Sequence, residues 1–302
     1  MSVRFYTSIE RTTSKMNAKG VNLDKKYIQL TVGRQLAQGS YSSTFLATSN
    51  ADRINNYSKV AKVAINKTPN FKYGMELKIL GALQGNKYFP DLVNNEETSK
   101  YTYIVTNYAG DNLQTVAERN ADGLLSNRNG VRLAHQLHNA VDHVHMIGFL
   151  HRDIQSSNVL IQLKNGKVGM KLCDFGDSTE IKEPSRRSSL FTFKFRPIFA
   201  PYHESEDHLH VVILLLKLLT KIPEVSRRKS LFSSSHVTKF KLPVMDDQHD
   251  WIKLNWVRLT ACYSQTSTDF SFIPVFLDNA IVGFNKESDL EYTVVDGQLK
   301  LN

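Results

Sequence analysis

A polar segment between residues 149 and 158 contains the side chains best suited to chemistry. Its sequence, FLHRDIQSSN, places a histidine, an arginine, an aspartate and an asparagine within eight positions after two apolar residues. The apolar run VLI follows, then NGK and VGMKLCDFG, a pattern that predicts a β-hairpin. Asp153, Asn158 and Asp174 then lie on loops at the ends of that hairpin, where their side chains can converge.

These three side chains fit the requirements of phosphoryl transfer. Asp153 can orient an attacking hydroxyl and accept its proton, while Asn158 and Asp174 supply oxygen ligands for a Mg²⁺ ion that bridges phosphates. Asp153 considered alone could equally be a loop or capping carboxylate. We favour the functional interpretation because Asn158 and Asp174 occur in register around the same predicted hairpin.

The residues upstream of this segment predict a small antiparallel sheet. From Tyr27 to Val105 the chain contains short runs rich in β-branched and aromatic residues, separated by Gly, Asn and Ser. One helical segment, YGMELKILGALQG, interrupts these runs, and Gly85 is suited to its C-terminal end. We therefore predict a β-rich first lobe with one helix.

After Gly110 the sequence pattern becomes helical. In GVRLAHQLHNAVDHVHMIG the apolar residues recur every three or four positions, which predicts an amphipathic helix that ends at Gly148. Further helices are predicted at about 208–221, 249–263 and 272–282. A small β-rich lobe followed by a larger helical lobe is an α+β arrangement, and we expect a cleft between the lobes.

Length and composition exclude several classes of protein. The chain has 302 residues, of which 41% are apolar and 22% are charged, enough for one large domain or two lobes. The chain has 38 Lys and Arg residues against 29 Asp and Glu residues. Because this positive excess is not concentrated in one stripe of the sequence, we expect positive charge scattered over the surface rather than a nucleic-acid-binding site.

The expected location is a reducing, intracellular compartment, the cytoplasm or the nucleus. The two cysteines have no metal-ligand spacing and form no disulfide framework. The N-terminus lacks an apolar signal core, and the longest apolar run, 211–216, is too short to span a bilayer. We expect a soluble protein without a membrane partner, and the sequence leaves the oligomeric state open.

Several motifs together resemble a known family. HRDIQSSN followed by DFG resembles the catalytic loop and metal-binding motif of protein kinases. GFLHRDI, MELKILGALQG and DWIKLNWVRLTACYSQTSTDF are similar to the casein kinase I superfamily, particularly its tau-tubulin kinase branch. The resemblance implies a bilobal protein-kinase-like fold at about 27–283, with the N-lobe at 27–108 and the C-lobe at 109–283. An N-terminal arm, 1–26, and a C-terminal tail, 284–302, would flank it.

The resemblance also implies ligands and the residues that bind them. The family uses ATP and Mg²⁺ and acts on a protein substrate. Asp153 and Gln155 would lie beside the transferring phosphate, and Asn158 and Asp174 would bind the metal. The residues implied in nucleotide binding are Leu36, Gly39, Thr44, Lys62, Glu76, Thr106, Asn107 and Tyr108.

Within that set, Lys62 and Glu76 are implied to act as a pair. Lys62, in the predicted strand KVAKVA, resembles the lysine that holds the α- and β-phosphates, and Glu76 in the following helix resembles its partner. An alternative alignment through VAIN would place Asn66 in the lysine position, and we reject it because the separation of Lys62 and Glu76 is the one this branch uses. Thr106 corresponds to the residue behind adenine, and residues 107–110 to the hinge.

The phosphate-covering loop and the catalytic loop depart from the family pattern. LAQGSYSSTF has Ala37, Gly39 and Ser42 at the three glycine positions, which restricts the approach of the backbone to phosphates. Thr44 replaces a valine that packs on adenine. Gln155 replaces the lysine that contacts the transferring phosphate; it can donate a hydrogen bond but carries no charge.

The segment after DFG departs further. In FKFRPIFAP the residues Phe-Arg replace a Gly-Thr pair, and the following stretch, YHESEDHLH, is shorter than in the family. We predict that His208, with Asp207 beside it, occupies the position of the buried aspartate that braces the His-Arg-Asp backbone. SRRSS and SRRKS place arginines before Ser189 and Ser230, and we favour a solvated basic loop there over phosphorylation sites.

Three functions remain compatible with the sequence: an active Ser/Thr protein kinase, a pseudokinase that binds nucleotide or partners as a scaffold, and a small-molecule phosphotransferase. The first is favoured by the retained set Lys62, Glu76, Asp153, Asn158 and Asp174. The loss of two glycines from the phosphate-covering loop favours the pseudokinase, as do Gln155 and His208. The resemblance of the second lobe to casein kinase I argues against the third, and we predict a slow protein kinase.

Overall fold

The structure is a computed structural model of the chain. It describes residues 4–10, 25–39, 42–49, 57–65, 71–97, 101–181, 202–220, 242, 245–265 and 267–302. Several positions considered in the sequence, Asn66, Ser189, Ser230 and the Phe-Arg pair at 195–196, lie outside the described residues. The chain divides into two compact units: unit 1 comprises Met1–Asn86 and Pro90–Tyr108, and unit 2 comprises Lys87–Phe89 and Ala109–Asn302.

In its described residues, unit 1 is an antiparallel sheet of order β1-β2-β3-β4-β6-β5 with one helix. Side chains alternate between its faces, so that Ala61 of β4 is buried while Lys62 points to the opposite face. The elements are β1 (Arg4–Glu10), β2 (Lys25–Gln38), β3 (Ser43–Ser49), β4 (Lys59–Ile65), α1 (Phe71–Ala82), β5 (Leu92–Glu97) and β6 (Tyr101–Asn107). The predicted sheet with a single helix is confirmed, and β1 lies within the stretch predicted to be an arm.

Helices dominate unit 2. They are α2 (Leu113–Ala117), α3 (Asn127–Met146), α4 (Glu204–Leu219), α5 (Asp250–Gln265) and α6 (Phe272–Asp278). Helices α3 and α4 pack closely because Gly130 has no side chain: a Cβ there would lie 2.6 Å from the Cδ1 atom of Leu219. Helix α4 begins four residues before its predicted start at 208, because His203 caps it and Glu206 completes a capping box.

Short strands position the predicted catalytic segment in unit 2. They are β7 (Asp111–Asn112), β8 (Phe149–Leu150), β9 (Val159–Lys164), β10 (Lys167–Leu172), β11 (Thr179–Glu180), β12 (Tyr292–Val295) and β13 (Gln298–Leu301). The predicted hairpin is confirmed as β9–β10, and β7 pairs with the other edge of β9. Its turn has φ of 52° at Asn165 and 76° at Gly166, positive values at both central residues as a type I′ turn requires.

Gly110 is required where the chain passes β9. Its φ is +89°, and a Cβ on it would lie 1.9 Å from the carbonyl oxygen of Ile161. A side chain at this position would therefore push β7 away from β9. Since β9 begins directly after Asn158, this close approach helps to fix the end of the hairpin that carries the candidate catalytic residues.

Residues 292–301 form a second hairpin, β12–β13, and the residues around it are hydrogen-bonded to the start of α3. The side-chain amide of Asn129 donates to the carbonyl oxygens of Glu291, at 2.8 Å, and Asn302, at 2.7 Å. Arg132 and Glu291 form an ion pair at 2.7 Å, and Leu301 is fully buried. Residues 290–302, which fall in the stretch predicted to be a tail, therefore pack within unit 2.

The α+β composition predicted from the sequence is confirmed by a β-rich unit 1 and a mainly helical unit 2. Within the described ranges, every helix is too short or too polar to cross a bilayer.

Candidate active site

A buried carboxylate, Asp207 of α4, anchors the backbone of the HRD segment. Its Oδ2 atom accepts a hydrogen bond from the backbone N–H of His151, and its Oδ1 atom accepts one from the N–H of Arg152, both at 2.8 Å. The prediction that His208 occupies the brace position is therefore wrong: Asp207 is the brace. The apolar composition of α4 hid its register, because nearly every residue of that helix is buried and periodicity cannot single out one position.

The anchor holds an unusual backbone conformation. Arg152 has a φ of 71°, in the left-handed region that non-glycine residues rarely adopt. Such conformations persist where the surrounding hydrogen bonds determine them, and they are typical of functional sites. Burial of the Arg152 side chain lowers its pKa, while the nearby Tyr202, Asp207 and Asp177 oppose that effect.

Two further donors complete the environment of Asp207. The Tyr202 hydroxyl donates to Oδ1 at 2.7 Å, and Nε2 of His145 lies 2.9 Å from Oδ2. Burial alone would raise the pKa of Asp207, but the hydrogen bond and charge of His145, the charge of His151 and the N–H of Arg152 hold it well below its usual range. Asp207 is therefore a buried anion whose four hydrogen bonds fix the start of the catalytic loop.

The side chain of Asp153 is held by two amides. Nδ2 of Asn158 donates to its Oδ2 atom at 2.8 Å and also to its backbone carbonyl at 2.9 Å. Nε2 of Gln155 lies 2.9 Å from both carboxylate oxygens. A carboxylate has about four lone-pair positions, so these contacts leave Asp153 able to accept one more hydrogen bond, such as that of a substrate hydroxyl.

The electrostatic surroundings make Asp153 a stronger base than an ordinary aspartate. Burial raises its pKa most, and the negative charges of Asp174 and Asp177 raise it further. The charge of His151 and the hydrogen bond from Asn158 act in the opposite direction without cancelling the effect. A carboxylate with a raised pKa accepts a proton more readily, which is the property required of a general base.

Asn158 and Asp174 are brought together by the end of the β9–β10 hairpin. The N–H of Cys173 donates to the carbonyl oxygen of Asn158 at 2.9 Å, and Asp174 follows with a φ of 67°. Because its amide nitrogen is committed to Asp153, Asn158 can offer only its Oδ1 atom to a cation. Together with the Asp174 carboxylate, this is a pair of hard oxygen donors of the type that Mg²⁺ binds alongside substrate phosphates. The residues present therefore fit the ion that the sequence implies.

Aromatic side chains pack against the HRD segment and the DFG segment. The rings of His151 and Phe175 have centroids 5.1 Å apart, and Phe175 also contacts Phe89, with centroids 6.0 Å apart. All three side chains are fully buried. Nε2 of His151 lies 3.2 Å from the carbonyl oxygen of Cys173, which connects the HRD segment to the DFG segment. His151 and Phe175 are thus packing residues.

In unit 1, Lys62 and Glu76 form an ion pair. Lys62 Nζ on β4 lies 2.7 Å from Glu76 Oε2 on α1, and the two side chains are 23% and 9% exposed. Thr44 of β3 lies opposite Lys62 in the register of the two strands. The pairing expected from the sequence is present, while the role of the pair toward phosphates stays a prediction.

The remaining residues implied in nucleotide binding also lie in unit 1, on its strands or directly after them. Leu36 is near the end of β2 and is 38% exposed, and the N–H of Gly39 closes a turn onto the carbonyl oxygen of Ser42 at 2.8 Å. Thr106 lies opposite Val60 at the end of β6. Asn107 and Tyr108 follow it: their N–H groups donate to the carbonyl oxygens of Asp91 and Ser58.

Sequence reasoning missed two residues of this site, and it named Gln155 without predicting the contact that its side chain makes. His145 and Tyr202 complete the hydrogen bonding of Asp207, and the amide of Gln155 contacts Asp153. His145 carried a signal, since it lies eight residues before Asp153 near the end of an amphipathic helix, where a histidine can reach the following loop. Nothing in the sequence indicated that the side chain of Gln155 turns toward Asp153.

Comparisons with known proteins agree with this geometry. Residues 30–265 match the protein kinase domain family, and the chain belongs to that family. A solved structure titled "Structure of vaccinia related kinase 3" has the same fold, with a TM-score of 0.68 over 92% of this chain and 95% of that chain at 14% identity. The protein-kinase-like fold expected from the sequence is therefore confirmed.

Curated relatives are named as serine/threonine kinases. A probable serine/threonine-protein kinase of Dictyostelium discoideum is 29% identical over 185 residues, which are 59% of this chain and 37% of that protein. Serine/threonine-protein kinase PKH1 of Saccharomyces cerevisiae is 34% identical over 180 residues, which are 58% of this chain and 22% of that protein. The matched region is thus well under half the length of either relative.

Proposed function

We propose that this chain is an active Ser/Thr protein kinase that transfers the γ-phosphate of ATP to protein hydroxyls at a slow rate. The observation that carries the proposal is the state of Asp153. Its carboxylate is held by Asn158 and Gln155, its pKa is raised, and its backbone follows a segment anchored on the buried Asp207.

In the proposed reaction, Asp153 acts on the substrate hydroxyl. The hydroxyl donates a hydrogen bond to the carboxylate, its oxygen attacks the γ-phosphorus, and its proton passes to Asp153 while the bond to the ADP oxygen breaks. Phosphorylated protein and ADP are the products. The raised pKa of Asp153 makes this proton transfer more favourable than it would be for an exposed aspartate.

The other proposed roles concern the nucleotide. Asn158 Oδ1 and the Asp174 carboxylate would hold Mg²⁺, which neutralises charge on the phosphates when it is bound. Lys62, oriented by Glu76, would contact the α- and β-phosphates. The backbone at Asn107 and Tyr108 would hydrogen-bond adenine, with Leu36, Gly39, Thr44 and Thr106 around the nucleotide.

The expected slowness follows from Gln155. This side chain brings no positive charge to the transferring phosphate, and the loss of one electrostatic donor at such a site costs about 2.7–4 kcal/mol, or on the order of a hundred- to a thousandfold in rate. The named relatives support a serine/threonine specificity. Membership of the casein kinase I superfamily, and of its tau-tubulin kinase branch, rests on the motifs in the sequence and is part of the proposal.

The alternative is a pseudokinase that binds nucleotide or partners as a scaffold. Two observations favour it: Ala37 and Ser42 stand where glycines are expected, and Gln155 contacts Asp153 where a cation is expected. A scaffold of this kind would bind Mg-ATP without transferring phosphate. The two functions therefore differ in one measurable quantity, the rate of phosphotransfer.

A radiolabelled phosphotransfer assay separates these functions. The wild-type protein is incubated with labelled ATP, Mg²⁺ and a generic acidic protein substrate, beside the Asp153→Asn variant. The matched control is Asp296→Asn, because an Asn-Gly pair suits the same exposed type I′ turn. We expect slow incorporation by the wild type and the control, and none by Asp153→Asn. Equal incorporation by all three would mean that Asp153 is not the base, and no incorporation by folded, ATP-binding wild type would favour the scaffold.

A further inference from the structure

A cluster of three histidines lies beside Asp207 in the interior of unit 2. His138 and His145 come from α3 and His208 from α4. The rings of His138 and His208 are stacked, with centroids 5.1 Å apart, and their Nδ1 atoms are 2.9 Å apart. His138 is 3% exposed and His208 is fully buried. Burying two imidazoles costs free energy, because ring nitrogens without a partner lose their hydrogen bonds to water.

The short contact between the two Nδ1 atoms fixes their protonation. One nitrogen must carry the hydrogen and the other must offer its lone pair, so the pair can hold one proton between these atoms. Nε2 of His208 faces Oδ1 of Asp142 at 3.4 Å; the contact lacks hydrogen-bond geometry, but the negative charge favours a hydrogen on that nitrogen and leaves Nδ1 of His208 as the acceptor. His138 is then the donor, and its Nε2 atom has no hydrogen-bond partner among the described residues.

A further proton is disfavoured in this geometry. On Nδ1 of His208 it would place two N–H groups head to head, and on Nε2 of His138 it would create a buried cation with one N–H group that has no acceptor among the described residues. Burial is the main cause of the low pKa of both rings. The groups facing the pair are His135, Asp142 and His145 from α3, Asp207 from α4, and the apolar ring of Phe270 at 4.5 Å.

The pair is connected to the catalytic loop by two routes. The rings of His145 and His208 are perpendicular, with an interplanar angle of 87° and centroids 5.4 Å apart, and Nε2 of His145 contacts Asp207 at 2.9 Å. In addition, Asp207 and His208 are consecutive residues of α4. Any separation of α3 from α4 at His208 therefore shifts the carboxylate that holds the backbone of His151 and Arg152.

We propose that His208 and His138 are positioning residues for the catalytic loop, and that proton uptake by this pair releases the anchor that Asp207 provides. The consequence for catalysis rests on the proposed kinase function, whereas the release of the anchor does not. As the pH falls, the closed form excludes the proton while an open form in which α3 and α4 separate accepts it. Acid therefore favours the open form, in which His151 and Arg152 lose their hydrogen bonds to Asp207.

The sign and size of the effect follow from proton linkage. In the open form an imidazole has its ordinary pKa of about 6.5, whereas in the closed form its pKa is lower. Between these two values the open form binds more protons, so the closed form is fully favoured above about pH 7 and is lost progressively below about pH 6.5. From pH 7.5 to pH 5.5 the open population rises by up to about tenfold for one imidazole and by up to about a hundredfold for two.

Amide hydrogen exchange of the wild-type protein measures the anchor directly. Protection factors, which are corrected for the intrinsic pH dependence of exchange, are compared at pH 7.5 and pH 5.5 for the N–H groups of His151 and Arg152. The reference is the N–H of Cys173, which donates to Asn158 rather than to Asp207. We expect protection at His151 and Arg152 to fall at least about tenfold, and protection at Cys173 to change by less than about threefold. Unchanged protection at all three would overturn the proposal.

A pair of variants assigns the effect to the buried rings. His208→Leu removes the titrating ring and should reduce the pH-dependent loss at Arg152 to less than about threefold. His143→Gln, on α3 but half-buried and outside the cluster, should retain the full loss. A full loss in His208→Leu, or a flat profile in His143→Gln, would show that other groups titrate. If His208→Leu does not fold, His138→Asn takes its place, with the same expected flattening.

Phosphotransfer by the wild type over the same pH range separates the two proposals. Because protonation of Asp153 also slows transfer in acid, the rate is measured in His208→Leu as well, and a smaller loss of rate in that variant than in the wild type connects the histidine pair to catalysis. Loss of protection without any measurable transfer at either pH would leave the anchor proposal standing and would count against the kinase function. An equal loss of rate in both proteins, while protection is lost only in the wild type, would refute the positioning role of the pair.

Discussion

Replacing Asp207 should destabilise unit 2 and stop phosphotransfer together. Asp207→Ala removes an acceptor that receives four hydrogen bonds, from the N–H groups of His151 and Arg152, the hydroxyl of Tyr202 and the ring of His145. Hydrogen bonds to a charged group contribute about 1.5–3 kcal/mol each, but the variant also escapes the cost of burying a charge. Removing one member of a buried charged network typically costs about 3–5 kcal/mol, which is the loss expected here.

Asp207→Asn provides a graded test of the same reasoning. An asparagine keeps one oxygen, which can serve Arg152 and Tyr202 at the Oδ1 position, but places an NH₂ group where Oδ2 faces the donors of His151 and His145. Two of the four hydrogen bonds are lost, so we expect about half the effect, roughly 1.5–2.5 kcal/mol. The order of stability should therefore be wild type, Asn variant, Ala variant.

Tryptophan fluorescence during urea unfolding reports on the correct unit, because both tryptophans of the chain, Trp251 and Trp256, are buried in α5. The control is Asp289→Asn, an exposed aspartate, which should change the free energy of unfolding by less than about 0.5 kcal/mol. An Asp207→Ala variant that unfolds within about 1 kcal/mol of the wild type and still transfers phosphate would refute the assignment of Asp207 as the anchor.

Three further changes test other parts of the site. Gln155→Lys should raise the phosphotransfer rate at least about tenfold, a gain of about 1.4 kcal/mol in transition-state stabilisation. Gln155→Ala should lower the rate, because it removes the hydrogen bond that holds Asp153. An unchanged rate in both variants would exclude a role for this side chain. Gly110→Ala should lower the free energy of unfolding, measured by chemical denaturation, by at least about 2 kcal/mol, because its Cβ would collide with the backbone of β9. Gly166→Ala is the control: its φ of +76° is similar, but the space around it is open, so it should lose only about 1–2 kcal/mol. Equal losses in the two variants would contradict the close approach of Gly110 to β9. Mg-ATP at a hundredfold excess over its dissociation constant should stabilise the protein by about 2.7 kcal/mol in a thermal shift assay. In Asp174→Ala the dependence of that shift on Mg²⁺ should disappear. A Mg²⁺-dependent shift in the variant would place the metal elsewhere.

The parts of the site that depend on local sequence could be predicted. The hairpin β9–β10 follows from two apolar runs around an Asn-Gly pair, a combination that few other structures accommodate. Once the hairpin is placed, Asn158 and Asp174 must lie at the same end of it. The partnership of Lys62 and Glu76 was implied by the resemblance, and the ion pair is present.

The identity of the anchor depended on tertiary structure that the sequence pattern does not contain. Helix α4 is apolar along most of its length, so a shift of one residue leaves its pattern unchanged, and Asp207 and His208 could not be separated by periodicity. The start of α4 was missed because histidine is an uncommon N-cap, whereas Ser, Thr, Asp and Asn are the usual signals.

The second hairpin could have been predicted from a signal that was present. Residues 292–301 read YTVVDGQLKL, with an Asp-Gly pair between alternating apolar residues, which is a strong indicator of a hairpin. Asp296 and Gly297 have φ values of 50° and 74°, as a type I′ turn requires. The stretch was interpreted as a tail because it lies beyond the region that resembles casein kinase I.

The hairpin β12–β13 imposes an order on folding during synthesis. Asn129, near the start of α3, needs the carbonyl oxygen of Asn302, which is added 173 residues later. At about 5–20 residues per second, a ribosome takes roughly 9–35 s to synthesise that interval. The strands of unit 1 are complete once Asn107 has emerged, so unit 1 can fold first. Helix α4 packs on α3 and α5, so part of its apolar surface stays uncovered until residue 265 has emerged, and a nascent chain that stalls before that point exposes this surface to chaperones and to aggregation.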